Sequence, residues 1–241
     1  MPNVSLYCAL DARDRPEVER LASLLAPAVD GLKLGLEYFC AHGPAGIAAV
    51  GAAGKPLFLD LKLHDIPNTV AGAVRSVVAL APHYLTIHAG GGLAMMRAAR
   101  EAGEEEAARL GVAPPGLLGV TVLTSLDDAA LAHQGIAGPA GAQVLRLAAL
   151  AHEAGLAGVI ASPQEVAALR AEHGQNFAIV VPGIRPAGGS GSDRADQARV
   201  ATPADAARAG ATALVVGRPI TQAPDPLAAA RAIAGEIAAA C

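Results

Sequence analysis

The chain reads as an α/β protein of the closed (β/α)8 class, a TIM barrel. Short apolar runs alternate strictly with longer helical patterns from one end to the other, and a repeating strand–helix order predicts a parallel sheet. Eight such units fit within 241 residues, close to the usual size of a closed barrel. A doubly wound open sheet is the competitor, but no GxGxxG follows the first strand to support a dinucleotide fold. No internal repeat, low-complexity tail or linker stands out, so residues 1–241 read as a single domain.

Taken in order, the first strand, Ser5–Leu10, closes on Asp11 and leads to a helix over Pro16–Val29. The second, Leu32–Leu36, sets Lys33 among leucines and precedes a helix over Gly46–Ala53. The third, Pro56–Lys62, is followed by Asn68–Leu80, and the fourth, Tyr84–Ala89, by Leu93–Leu110. Leu117–Thr124 and Gly158–Ser162 are the fifth and sixth strands, trailed by helices Gly141–Glu153 and Gln164–His173. Ala178–Gly183 and Thr212–Gly217 complete the set, with helices Pro203–Ala209 and Pro226–Ala239. The strands are short, apolar and bounded by turn residues, whereas the helical segments have helical periodicity or composition.

Composition narrows the function. The chain is 53% hydrophobic but 2% aromatic, so Ala, Val, Leu and Ile must build the core. A net charge of −4 and the lack of any Lys/Arg cluster argue against nucleic acid as a partner. Cys8, Cys40 and Cys241 are odd in number and far apart, which fits a reducing compartment. No signal peptide is evident over Met1–Leu10. The longest uncharged run, Ser76–Met96, holds Pro82, His83, His88 and three consecutive glycines. It reads as helix, strand and loop rather than a membrane span. A soluble, cytoplasmic protein is expected.

The chemistry concentrates in Asp60-Leu61-Lys62-Leu63-His64-Asp65-Ile66-Pro67-Asn68-Thr69. Alternation along a strand puts Asp60 and Lys62 on one face. Asp65 follows just past the strand, and Pro67 suits the first turn of a helix. A structural ion pair with Asp65 as N-cap is the plain alternative. Burying an ion pair is a poor device for stability, however, because desolvation offsets most of the attraction. Active sites in such barrels lie at the C-terminal ends of the strands. Asp11, Lys62, His88, Thr124, Ser125, Arg185 and Arg218 fall at or near those ends, and Lys33 lies within the second strand. His83 and His88 read as core or rim histidines, and Glu37 and His42 have no spacing that makes a site. From Arg185 to Arg199 runs a long Gly/Ser-rich loop, and Gly217-Arg218 follows the eighth strand. Barrels commonly bind phosphate after strands seven and eight, so a phosphorylated substrate is expected.

The ten-residue stretch resembles the signature of the orotidine 5′-phosphate decarboxylase family. Ala9-Leu10-Asp11, Leu32-Lys33-Leu34-Gly35, Val120–Ser125, Pro182-Gly183-Ile184-Arg185-Pro186, Asp196-Gln197 and Val216–Ile220 resemble its bacterial members in the same order. The resemblance implies a TIM barrel and a cofactor-free, metal-free decarboxylation of orotidine 5′-phosphate to uridine 5′-phosphate, the last step of de novo UMP synthesis. It implies Lys62 as proton donor to pyrimidine C6 and Asp60 beside the departing carboxylate. A homodimer is implied, with the neighbouring chain's Asp65 and Thr69 reaching the site and Lys33 completing the charge array. Asp11 would hold ribose hydroxyls, Thr124 or Ser125 the pyrimidine edge, and Pro182 would line the substrate site. Arg185, Gln197, Gly217 and Arg218 would hold phosphate. Two other readings are a metal-dependent barrel decarboxylase acting on a sugar-acid phosphate and a non-catalytic phosphate-binding barrel. Lys33 and the Ile66–Thr69 extension speak against the first, and the intact Asp60, Lys62 and Asp65 against the second.

Overall fold

The computed structural model describes residues 4–186 and 201–241. Eight strands follow one another round a closed barrel, each parallel to the next, with the last pairing to the first. They are β1 (Ser5–Ala9), β2 (Gly31–Gly35), β3 (Leu57–Leu63), β4 (Tyr84–His88), β5 (Gly116–Val120), β6 (Gly158–Ile160), β7 (Ala178–Val181) and β8 (Ala213–Val216). Outside them lie α1 (Arg15–Leu25), α2 (Leu36–Gly51), α3 (Pro67–Val78), α4 (Gly92–Leu110) and α5 (Asp128–His133). The ring continues with α6 (Ala140–Glu153), α7 (Val166–His173), α8 (Pro203–Arg208), α9 (Arg218–Thr221) and α10 (Pro226–Ala240).

Strand alternation divides the apolar side chains into two compartments. In β1, Leu6 and Cys8 join the large cluster shared by strands and helices, while Tyr7 and Ala9 join a small one inside the barrel. Helices supply the outer compartment through faces of 3.6-residue period, as with Val70, Val74, Val77 and Val78 of α3. Each such side chain, fully buried, contributes about 1.5–3 kcal/mol. The inner compartment holds three of the few aromatic rings, Tyr7, Phe58 and Tyr84, with centroids 5.9 Å apart in every pair. Gly31 faces this trio; a Cβ there would lie 2.1 Å from the Tyr7 ring, so any side chain would displace the floor. These rings and their aliphatic neighbours fill the lower barrel. The polar residues therefore sit above them, at the C-terminal ends of the strands.

All eight expected strands are present, with ends displaced by a few residues. The fifth stops at Val120 rather than Thr124; Val122 remains buried beyond it, so apolar continuity there reflects burial without strand pairing. The second helix starts at Leu36, ten positions ahead of Gly46, and breaks at Gly43 (φ 58°, ψ −160°) before Pro44. A glycine at positive φ followed by proline interrupts the helical pattern, so the sequence expectation covers only the part after the break. The turns before it bury Tyr38, whose hydroxyl donates to the Gly46 carbonyl. Helices α5 and α9 span six and four residues, too short to carry a period. The uncharged Ser76–Met96 run is divided among α3, β4, a short 3-10 turn and α4. Among the described residues no helix is long and apolar enough to cross a membrane.

Candidate active site

The β3–β4 ladder pairs Phe58 with Tyr84 and Leu59 with Leu85, then shifts register before pairing Leu63 with Ile87. Lys62 lies within this irregularity at φ 49°. A left-handed backbone costs an ordinary L-residue on the order of 1–2 kcal/mol. The Lys62 side chain, unlike a regular strand residue's, is therefore aimed by a bulge, a device that re-aims side chains near active sites. Its ammonium donates to Asp60 Oδ2 at 2.7 Å. Its backbone N–H donates to Thr86 Oγ1 at 2.9 Å, and the same hydroxyl donates to Asp60 Oδ1 at 2.9 Å.

A second lysine completes the array. Lys33, buried on β2, donates to Asp11 Oδ1 at 3.0 Å and lies 3.5 Å from Asp60 Oδ2. Gly35 makes room for this contact, because a Cβ there would approach Asp11 Oδ1 to 2.9 Å and Lys33 Nζ to 3.3 Å. The charges thus alternate as Asp11, Lys33, Asp60, Lys62. Burial alone would pull the Lys33 pKa down, but Asp60 and Asp11 outweigh it and hold it above the ordinary lysine value. Burial would likewise push Asp60 up, yet Lys33 and Lys62 bring it below the ordinary carboxylate value, helped by Thr86. Both groups are therefore held in their charged forms near neutrality.

These residues line a cavity of about 600 Å³ at the mouth of the barrel. Val120, Val122, Ile160 and Ala161 give it an apolar wall. Pro182, Gly183 and Arg185 after β7, and Gly217 and Arg218 after β8, form the cationic side. Arg185 Nε is buried and has no hydrogen-bond partner among the described residues. A buried guanidinium donor left over in a cavity wall suits an anionic ligand.

A family model described as "Orotidine 5'-phosphate decarboxylase / HUMPS family" matches residues 5–233. The chain belongs to this family. Similar relatives include the orotidine 5′-phosphate decarboxylase of Paramagnetospirillum magneticum, 53% identical over 232 residues covering 96% of this chain and 97% of the relative. That of Rhodospirillum rubrum is 54% identical over 233 residues, covering 96% and 93%. Among solved structures, orotidine 5′-phosphate decarboxylase from Lactobacillus acidophilus aligns with a TM-score of 0.83 and 37% identity, covering 97% of this chain and 99% of that one.

In this member of the family, most of the expected site residues converge. Asp11, Lys33, Asp60, Lys62, Thr124, Pro182, Arg185, Gly217 and Arg218 all line the cavity. Ser125 is exposed and lies outside the lining, which leaves Thr124 as the hydroxyl facing the cavity. Asp65 and Thr69 are exposed and also outside it. Asp65 Oδ1 accepts the adjacent Ile66 N–H at 2.6 Å, while Ile66, not Asp65, occupies the N-cap position of α3. Gln197 lies outside the described residues. The sequence reading passed over two groups. Glu37 lines the mouth and pairs with Arg13 at 3.0 Å. Thr86 occupies the inward position between Tyr84 and His88, and a polar residue there on a barrel strand is the signal that could have found it.

Proposed function

We propose that this chain, acting as one barrel domain, converts orotidine 5′-phosphate to uridine 5′-phosphate and CO2 without a cofactor. Relatives of that name, about half identical over nearly the whole length, support the substrate. The observation that carries the chemistry is the Lys62 ammonium, held 2.7 Å from Asp60 and facing the cavity. When the bond from C6 to the carboxylate breaks, the electron pair stays on C6 and CO2 departs. No cofactor delocalises that pair. A fixed ammonium aimed at C6 stabilises the developing charge and then delivers its proton, after which solvent restores the lysine. Asp60 keeps Lys62 and Lys33 charged. The mechanism does not depend on Asp60 repelling the substrate carboxylate.

The phosphate belongs at Arg185, Gly217, Arg218 and Gln197, where binding energy remote from C6 helps assemble the site. Thr124 meets the pyrimidine edge, and Asp11 the ribose hydroxyls. Asp65 and Thr69 serve the neighbouring subunit, so the working unit is a homodimer in the cytoplasm. Their exposure on this chain supports that arrangement. Ultraviolet assay of the purified protein against orotidine 5′-phosphate, with and without a strong chelator, tests the reading. Turnover unchanged by chelator is expected. No turnover sinks the assignment, and turnover lost with chelator transfers the chain to metal-dependent chemistry.

A further inference from the structure

Among the described residues, Thr86 bonds to both members of the β3 pair. It is fully buried, on a different strand, and takes no place in the cavity lining. Its position follows from the β3–β4 ladder. Leu85 and Ile87 on either side of it pair with Leu59 and Leu63, so Thr86 stands opposite the shifted stretch that contains Lys62. A backbone N–H lifted out of a ladder in the interior needs another acceptor. The Thr86 hydroxyl is that acceptor.

The proton count then determines the rest. A hydroxyl has one proton to give and two lone pairs to accept with. Since Thr86 Oγ1 accepts from the Lys62 N–H, its single proton is directed to Asp60 Oδ1, 2.9 Å away. That leaves Asp60 Oδ2 to face both ammonium groups, Lys62 at 2.7 Å and Lys33 at 3.5 Å. An ion pair by itself sets a distance but leaves the carboxylate free to turn. Holding the opposite oxygen removes that freedom.

We propose that Thr86 is a positioning residue for the decarboxylation. One hydroxyl on β4 fixes both the backbone that aims Lys62 and the carboxylate that holds its ammonium. This inference rests on the reaction proposed above. Thr86 bonds Lys62 and Asp60 and stands outside the cavity lining, so it acts on the chemical step through Lys62 and leaves substrate capture alone.

The test compares Thr86→Val, which keeps the shape and removes the hydroxyl, with Thr86→Ser, which keeps the hydroxyl. For the valine variant we expect kcat to fall about ten- to a hundredfold, as for a misplacement of a catalytic group, with KM within about twofold of wild type. Affinity for uridine 5′-phosphate should stay close to wild type, while the thermal midpoint falls in the valine variant because the buried Lys62 N–H loses its acceptor, and recovers in the serine variant. Serine should bring kcat back to within about threefold, since it supplies the same donor and acceptors. If the valine chain is not recovered folded, Thr86→Cys carries the same comparison, because a thiol is only a weak donor. An unchanged kcat in the valine or cysteine variant overturns the proposal. So does a serine variant as slow as valine, or a loss that appears in KM instead of kcat. Wild-type protein inactive on orotidine 5′-phosphate would overturn the reaction itself, a separate result.

Discussion

The two halves of the stretch from Asp60 to Thr69 have opposite surroundings. Asp60 and Lys62 are tied to each other, to Lys33 and to Thr86, facing the cavity of their own barrel. One residue past Lys62 the strand ends, and every residue from His64 to Thr69 is exposed. Asp65 bonds only the neighbouring Ile66 N–H among the contacts the structure records for it. The difference teaches that adjacency in sequence does not mean a common site. The inner charges are satisfied within the chain, whereas Asp65 and Thr69 are exposed and free to face another surface. On the proposed reading that surface is a second copy.

The sharpest way to break this contrast is Lys62→Ala. Losing a well-placed electrostatic group costs roughly two to three orders of magnitude in turnover, and losing the proton donor adds to it. Folding and nucleotide affinity should survive, and near-normal kcat in the purified variant would refute the inner assignment. Asp65→Ala comes next. If its carboxylate serves the other subunit, the variant is inactive alone but regains activity when mixed with Lys62→Ala under conditions of subunit exchange. One site in each heterodimer then holds wild-type Lys62 and wild-type Asp65. Active Asp65→Ala protein before mixing, or two inactive variants that exchange without recovery, would end the shared-site reading. Arg218→Ala should cost less than either: a large loss with orotidine 5′-phosphate and a small one with the bare nucleoside. An equal loss on both would remove Arg218 from phosphate binding.

The smallest effect is on stability against pH. Asp60 titrates below its ordinary value of 3.8, so its contribution is present above that value and is lost as pH falls through the folded one. Lys33 titrates above 10.5, so its contribution is complete below that value and is lost as pH rises through the folded one. Chemical denaturation at a series of pH values should give no step from these two groups near neutrality. In Asp60→Asn the acid-side loss should shrink. A step near pH 7 that disappears in Asp60→Asn would contradict the charge states assigned to the inner half.

Much of this was legible in the sequence. The eight strands could be read because burial on both faces makes each a short apolar run, and Lys33 stood out because leucines flank it. Its need for a partner is met by Asp11 and Asp60. The convergence on Lys62 was also legible, but not its route. Simple alternation puts Asp60 and Lys62 on one face, and nothing in Leu61-Lys62-Leu63 announces a left-handed lysine. That conformation depends on what β4 offers across the ladder, a long-range fact. Thr86 left a weaker trace, a polar residue at an inward position of β4, whose meaning depends on Asp60 and Lys62 across the ladder. The helix before Gly43 was hidden by the Gly-Pro pair that breaks it, while the turns themselves are held by burial of Tyr38.

The ring trio of Tyr7, Phe58 and Tyr84 also bears on traffic through the molecule. With the lower barrel filled by these side chains, the chamber among the described residues has a closed floor. On the proposed reaction, a gas molecule is released near the Asp60 wall and a nucleotide is gripped at the arginine side. Both must go out the way the substrate came in. Release then belongs to the rim, where Arg185 and Arg218 stand, and the floor takes no part in it.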